Sequence, residues 1–227
     1  MKALSFCAIT MLSLTSSGAC THERLVTAGY SAQVPFKIAA GSICRHGEIV
    51  GVETSNRAAD PRSAGTTAAG IHTFNYRFDA DPALALKRGL EESLQAGGCR
   101  LDGSAQANLF VQIVQIEARG EKGGMWSCPG TASARVAVTL SDRAGHPLLK
   151  KDISAAASGS CGMVICNDEE ASRLASSILS DTITKTVRAF AEAIAKQLAP
   201  PPAATSPASP QDASPTPGAA LPSSAKS

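Results

Sequence analysis

Asp81–Pro82–Ala83–Leu84–Ala85–Leu86–Lys87–Arg88–Gly89–Leu90–Glu91–Glu92–Ser93–Leu94–Gln95–Ala96–Gly97–Gly98 is the stretch around which the rest of the chain is ordered. Asp81 suits the N-cap, and Pro82 suits the first helical position, where a missing N–H costs nothing. Ala83, Leu86, Leu90, Leu94 and Gly97 fall on one face; Lys87, Arg88, Glu91, Glu92 and Gln95 lie largely outside it. Gly97–Gly98 supplies a left-handed stop. Each buried leucine contributes about 1.5–3 kcal/mol. That face therefore needs a sheet to lie against, and the flanking sequence reads as strands.

Downstream, Leu101–Ser104 reads as a turn and Ala107–Glu117 is apolar on both faces, as a central strand is. Gly120–Gly124 reads as a mobile loop. Thr131–Ser141 alternates cleanly, with Ala132, Ala134, Val136, Val138 and Leu140 inward. Asp142–Gly145 is a hairpin loop, and His146–Ala157 returns as the partner strand. A second helix is expected from an Asn167 cap to about Leu198, with Asp168, Glu169 and Glu170 at the positive end of its dipole. Its apolar positions drift round the axis, which suggests a helix that wraps the sheet or bends midway.

Upstream, Ile71–Phe78 alternates so that Phe74, Tyr76 and Phe78 share one face, with His72 on the same side. Ser63–Gly70 is small and polar without periodicity and reads as a surface loop. Ile49–Thr54 is a strand, and Val34–Ile43 is a weaker one because Gly41 interrupts it. The expected fold is therefore α/β (α+β): a small, mostly antiparallel sheet with two helices packed on one face, forming a single domain over residues 34–198.

Both ends of the chain are of different character. Met1–Lys2 begins a leader whose apolar stretch, Ala3–Leu14, is too short to span a bilayer. Ser16–Ser17–Gly18–Ala19–Cys20 resembles the lipobox of bacterial lipoproteins, where cleavage precedes the cysteine and the thiol receives a diacylglyceryl group. Ser17 departs from the usual aliphatic residue, and Ser17–Gly18–Ala19 also satisfies ordinary signal peptidase, which would cut the same bond. The expectation is a signal peptide over 1–19, a lipid and palmitate anchor on Cys20, and a tether over 20–33, where His22 reads as solvated. At the other end, eight of the 13 prolines fall between Pro200 and Pro222. A tail over 199–227 of Pro, Ala and Ser cannot bury a core and is expected to be disordered.

The net charge is +2 and the basic residues are scattered, so no cationic track exists for nucleic acid. Seven cysteines in a chain of 227 residues point to an oxidising compartment. Cys128, Cys161 and Cys166, with His146, form a conceivable zinc set, but in an oxidising compartment cysteines read as disulfides. Counting back from the hairpin places Cys128 opposite Gly159, and a shift of two residues places Cys161 directly across. A Cys128–Cys161 bridge is expected, with Cys44–Cys99 as the second and Cys166 as a free thiol. The rival pairings are Cys161–Cys166 and Cys128–Cys166. If Cys20 carries no lipid, it joins Cys44, Cys99, Cys128, Cys161 and Cys166, and the six allow three bridges.

Gly51–Arg62, the helix Leu86–Leu94, Ala107–Ile113 and Ser177–Ile183 together resemble the YajG-like lipoproteins. The layout also resembles two wider groups of envelope lipoproteins, auxiliary lipoproteins of ABC-type lipid transport systems and activators of penicillin-binding proteins. The resemblance implies a small α/β sandwich without catalytic apparatus or cofactor, working beside an envelope protein partner; the lipobox implies a periplasm-facing anchor, and Thr21 after Cys20 favours the outer membrane. The cysteine-rich region from Cys128 to Cys166 departs from the family pattern.

No metalloprotease helix, phosphate-binding loop or nucleophile elbow is present, so catalytic, cofactor and metal residues are all read as none. Gly159–Ser160–Cys161–Gly162 only superficially suggests a nucleophile turn. Trp126, in a glycine-flanked loop, reads either as a lid over the core or as an exposed partner contact. An accessory binding protein is the first reading. A carrier with an apolar cleft is the second, and a pocket of several hundred Å3 would favour it.

Overall fold

The computed structural model describes residues 20–31, 36, 50–69, 72–101, 105–120, 128–161 and 168–197. Of Cys20, Ala68, Ala69, His72, Cys128, Cys161, Asp168 and Gln197 it describes the backbone alone. In chain order the elements are β1 (Cys20–Val26), β2 (Val50–Asn56), β3 (Ser63–Ala69), β4 (His72–Phe78), α1 (Pro82–Ala96), β5 (Ala107–Gly120), β6 (Cys128–Asp142), β7 (Pro147–Cys161) and α2 (Asp168–Gln197). The strands form one sheet in the order β1-β4-β3-β5-β6-β7, and β2 also pairs with β5.

Helix α1 forms where its caps require. Asp81 Oδ1 accepts the Ala83 N–H at 2.9 Å, with Pro82 in the first turn. Of the expected Gly97–Gly98 stop, Gly98 takes the left-handed conformation at φ +90°, while Gly97 stays right-handed. The Cys99 N–H reaches Leu94 O and the Gly98 N–H reaches Gln95 O, the paired bonds of a Schellman ending. Leu86, Leu90 and Leu94 are at most 1% exposed. They join the inward residues of the strands and α2 in one core, so both helices cover the same face of the sheet.

The sheet is mixed rather than mostly antiparallel. β3–β4, β5–β6 and β6–β7 are antiparallel, whereas β1–β4, β2–β5 and β3–β5 are parallel. The β2–β5 pair follows from the long return through the β3–β4 hairpin and α1, since parallel neighbours need a crossover. The other parallel pairs come from two segments with no visible strand pattern. Ser63–Ala69 forms β3 between β4 and β5, where a surface loop was expected. Gly65 lacks a side chain because the β5 backbone is close: a Cβ there would run into the Ala118 N, C and O atoms. The second such segment is β1.

Helix α2 is a single element of 30 residues, roughly 45 Å long. Thr182 and Thr186 are buried within it, their hydroxyls bonded to the carbonyls of Ile178 and Thr182 at 2.7 and 2.8 Å. Its Leu174 and Ile178 lie over Gly130 and Gly159, where a Cβ on Gly159 would stand 2.9 Å from Ile178 Cγ2. These glycines let the helix settle close onto β6 and β7.

Candidate functional site

Of the expected tether over 20–33, residues 20–31 enter the fold instead. Cys20 is the first residue of β1 and pairs in register with His72 of β4. Beyond Val26 the chain runs along α2. The Thr27 N–H donates to Ser176 Oγ at 3.1 Å, Gly29 N–H to Ser180 Oγ at 2.9 Å and Ser31 N–H to Thr184 Oγ1 at 3.3 Å. The three hydroxyls recur every fourth residue, so they form one stripe on the helix. Val26 and Ala28 point into the core. Tyr30 packs where a Cβ on Gly89 would come within 2.6 Å of its ring, and Phe36 lies 4.7 Å beneath the Arg188 guanidinium. His22, expected to be solvated, stacks on Phe74 with ring centroids 5.5 Å apart. An edge strand exposes one face, which explains its polar composition. The readable signal was the Ser176, Ser180, Thr184 spacing. Ser180→Ala leaves the Gly29 N–H without its acceptor, and a loss of about 1 kcal/mol is expected. Faster amide exchange at Gly29 in the variant checks it.

The strand registers bring the end of the sheet that carries Cys20 to one level. His72 pairs with both Cys20 and Ala69. Thr67, two residues before Ala69, pairs with Gly120, and Gly120 pairs with Gly130, two residues after Cys128. Cys128 then faces Cys161. Cys20, His72, Ala69, Cys128 and Cys161 therefore share one row. The shift that aligns the two cysteines has two sources. Ser141 pairs with Pro147, making the loop one residue longer than counted, and Leu140 pairs with Leu149, leaving Leu148 bulged. Cys99 is buried at the end of α1 and is disulfide-bonded. Its expected partner Cys44 lies outside the described residues, as do Cys166, Trp126, His46, Asn167, the expected strand over 34–43 apart from Phe36, the leader and the C-terminal tail.

The polar residues singled out from the sequence are not gathered. Ser160 and His146 stand at opposite ends of β7, on the order of 45 Å apart at about 3.3 Å per residue. That separation also removes His146 from any zinc set with Cys128 and Cys161. His146 serves the hairpin instead: Asp142 Oδ1 accepts its N–H at 2.8 Å and Oδ2 lies 3.2 Å from Nδ1. The backbone bond from His146 holds the Asp142 carboxyl below the usual aspartate range. Burial pushes the Tyr76 phenol up. Among the described residues no cluster of His, Cys, Asp and Glu has metal-binding geometry.

Two cavities matter to the choice between binding protein and carrier. The apolar one, between the sheet and α2, is bounded by Thr67, Tyr76, Ala118, Gly130, Leu174 and Ile178 and measures about 30 Å3. That holds about one water, not a lipid chain. The larger one, about 650 Å3, is an open groove at the β1 edge where Arg62 and Arg77 alternate with Glu23, Asp79 and Asp81. Arg77 and Glu23 pair across it at 2.9 Å, and Thr27 Oγ1 donates to Asp79 at 2.7 Å. Its two guanidiniums offset two of its three carboxylates.

No protein-family profile matches the chain, and no curated protein is detectably similar to it. Among the described residues no helix is long and apolar enough to cross a membrane. Solved structures with a similar layout include a DUF330 protein from Xanthomonas campestris, at 8% identity, covering 77% of this chain and 98% of that one with a TM-score of 0.49. A minor lipoprotein from Acinetobacter baumannii matches at 14% identity, 65% and 94% coverage and a TM-score of 0.39. Rare lipoprotein B from Shewanella oneidensis matches at 8% identity, 64% and 94% coverage and a TM-score of 0.40. These likenesses extend to DUF330 and lipoprotein structures and not to YajG-like proteins in particular. With every TM-score below 0.5, they carry no residue role across to this chain.

Proposed function

We propose that this chain is a bacterial envelope lipoprotein, held by a diacylglyceryl thioether on Cys20 and acting as a non-enzymatic accessory or binding subunit in the periplasm. The observation that carries the reading is the small-residue box Ser16–Ser17–Gly18–Ala19–Cys20 behind an uncharged apolar stretch. Thr21 in place of Asp after that cysteine favours the outer membrane, if the signal is read as in enteric bacteria.

Accessory binding is favoured over catalysis by the distance between Ser160 and His146, and over lipid carriage by an apolar cavity of only about 30 Å3. The mature N-terminus is expected to carry the mass of a triacylated cysteine. Cys20→Ser should move the protein from the membrane to the soluble fraction. An unmodified Cys20 on the native protein defeats the reading. Ser160→Ala and His146→Ala, each exposed at opposite ends of β7, should leave any envelope phenotype intact. Loss of that phenotype in either variant, with the fold unharmed, would argue for chemistry at that residue.

A further inference from the structure

We infer that the free edge of β7 pairs antiparallel with β7 of a second copy of this chain, so that one sheet runs through a symmetric dimer. This goes beyond the accessory role proposed above and does not depend on the acylation of Cys20.

The starting point is backbone with no strand beside it. Among the described residues β7 has β6 on one side and no strand on the other. It is 15 residues long, and from Leu149 to Cys161 it keeps unbroken register with β6. Alternate residues of such a strand turn their N–H and C=O to the same side, so roughly seven residues present both groups outward. A long straight edge is a template for a further strand unless it is shortened, bulged or charged. The opposite edge, β1, is only 7 residues long and carries Glu23 and Arg24 at its centre. In β7 the charges are confined to Lys150, Lys151 and Asp152, and Ile153–Cys161 has none.

Those three charges also choose the register. A two-fold axis that joins antiparallel strands in one sheet stands perpendicular to it and preserves each face, so the pairing centres on a residue. Centring on Lys150, Lys151 or Asp152 sets identical charges face to face. Centring on Ser154 overlays Pro147–Cys161 on itself, with Lys150 opposite Ser158 and Asp152 opposite Ala156. All five of these side chains are exposed, on the face away from buried Leu149, Ile153 and Ala157.

The helix layer fits the same axis. Ile178 lies against both Gly130 and Gly159, so α2 runs over the line between β6 and β7. Two strand spacings, about 10 Å, then separate the two α2 helices across the axis. Helices pack at roughly 8–10 Å. Leu174 and Ala189 share the flank of Ile178 at helical spacing and are only partly buried, and the second helix covers them. A lone peptide strand would satisfy the edge and leave that flank open. A second copy satisfies both.

The test is sedimentation equilibrium of the full-length chain in density-matched detergent, where two copies are expected in concentration-dependent exchange with one. Ser154→Lys sets like charges across the axis and should weaken the dimer about fivefold, as should Ser154→Glu. Mixed one to one, these two variants should dimerise again. Ser154 pairs with Arg135 of β6, so Ala156→Asp, facing Asp152 of the second copy, replaces Ser154→Lys if that variant folds poorly. Leu25→Glu, at the β1 edge, should leave the dimer unchanged. A single copy at every concentration overturns the inference, as does a dimer indifferent to Ser154→Glu and Ala156→Asp. Loss of the dimer in Leu25→Glu, with the fold intact by urea unfolding, also overturns it. Cys20→Ser should dimerise as well as the native chain, so a missing lipid bears on the anchor alone and a monomeric acylated chain bears on the dimer alone.

Discussion

Replacing Gly65 with alanine is expected to cost about 3–5 kcal/mol, a large part of the stability of an ordinary domain. Gly65 sits at φ +111°, and a Cβ there would lie 1.9 Å from Ala118 O, with the Ala118 carbonyl carbon and nitrogen both at 2.8 Å. The obstruction is backbone of the central strand, which cannot swing aside as a side chain can. Ala64, buried beside it, is the extra residue of a bulge between Ser63 and Gly65. That bulge lets β3 change neighbours: it pairs with β4 along its length but meets β5 only over Gly65–Thr67. Pushing Gly65 outward therefore breaks the join between the β1-β4-β3 half of the sheet and the β5-β6-β7 half. Gly145 provides the control, since it also has positive φ, +85°, but nothing within 4 Å of its would-be Cβ. Gly145→Ala should cost only about 1–2 kcal/mol. Urea unfolding of both variants measures the difference. A Gly65 variant no worse than the Gly145 variant would mean that β3 is not clamped against β5.

Elements with a strong local cause were legible in the sequence. Asp81 and Pro82 opened α1 where expected, and the paired glycines ended it within a residue. The aromatic alternation of Phe74, Tyr76 and Phe78 gave β4, whose three rings are at most 7% exposed. The alternating Ala132–Leu140 residues gave the inward face of β6. What escaped was what depends on neighbours. β3 is Ser-Ala-Gly-Thr-Thr-Ala-Ala, a composition selected by close backbone approach and not by side-chain burial, so period-two patterning never appears. β1 is an edge strand whose outer side is solvated, and its fixation comes from hydroxyls 149 to 153 residues away along the chain. Both omissions bias the reading toward an antiparallel sheet, because both strands make parallel pairs. The same omission made a strand of the sheet read as a tether. Cys20 was singled out by the small residues before it, but its pairing with His72 in the sheet was not legible.

Removing the bridge expected between Cys128 and Cys161 should lower stability by about 3–4 kcal/mol in the chain-entropy view of a cross-link closing a loop of roughly 30 residues. The backbone meets the geometric requirement. Residues directly opposite in an antiparallel pair have Cα atoms about 4.5–5.5 Å apart, inside the range of about 4.4–6.8 Å that disulfides occupy. Cys128 and Cys161 are such a pair, and both end their strands. A bond there closes the open end of the longest hairpin in the described sheet. Just inward, Gly130 and Gly159 carry Leu174 and Ile178 of α2, so fraying from that end would loosen the helix as well. Cys128→Ser and Cys161→Ser should each lose the full increment, and the double variant no more than either single one, because one bond is lost in all three. Under reducing conditions the three should differ little from the native sequence. Non-reducing peptide mapping reads the connectivity directly. With Cys20 acylated and Cys99 already bonded, a linked Cys128–Cys161 peptide accompanied by a Cys44–Cys99 peptide leaves Cys166 as the thiol that alkylates. Recovery of Cys161 joined to Cys166 would sink the cross-strand bridge and leave β6 and β7 held at that end by their backbone pairing and by α2 alone.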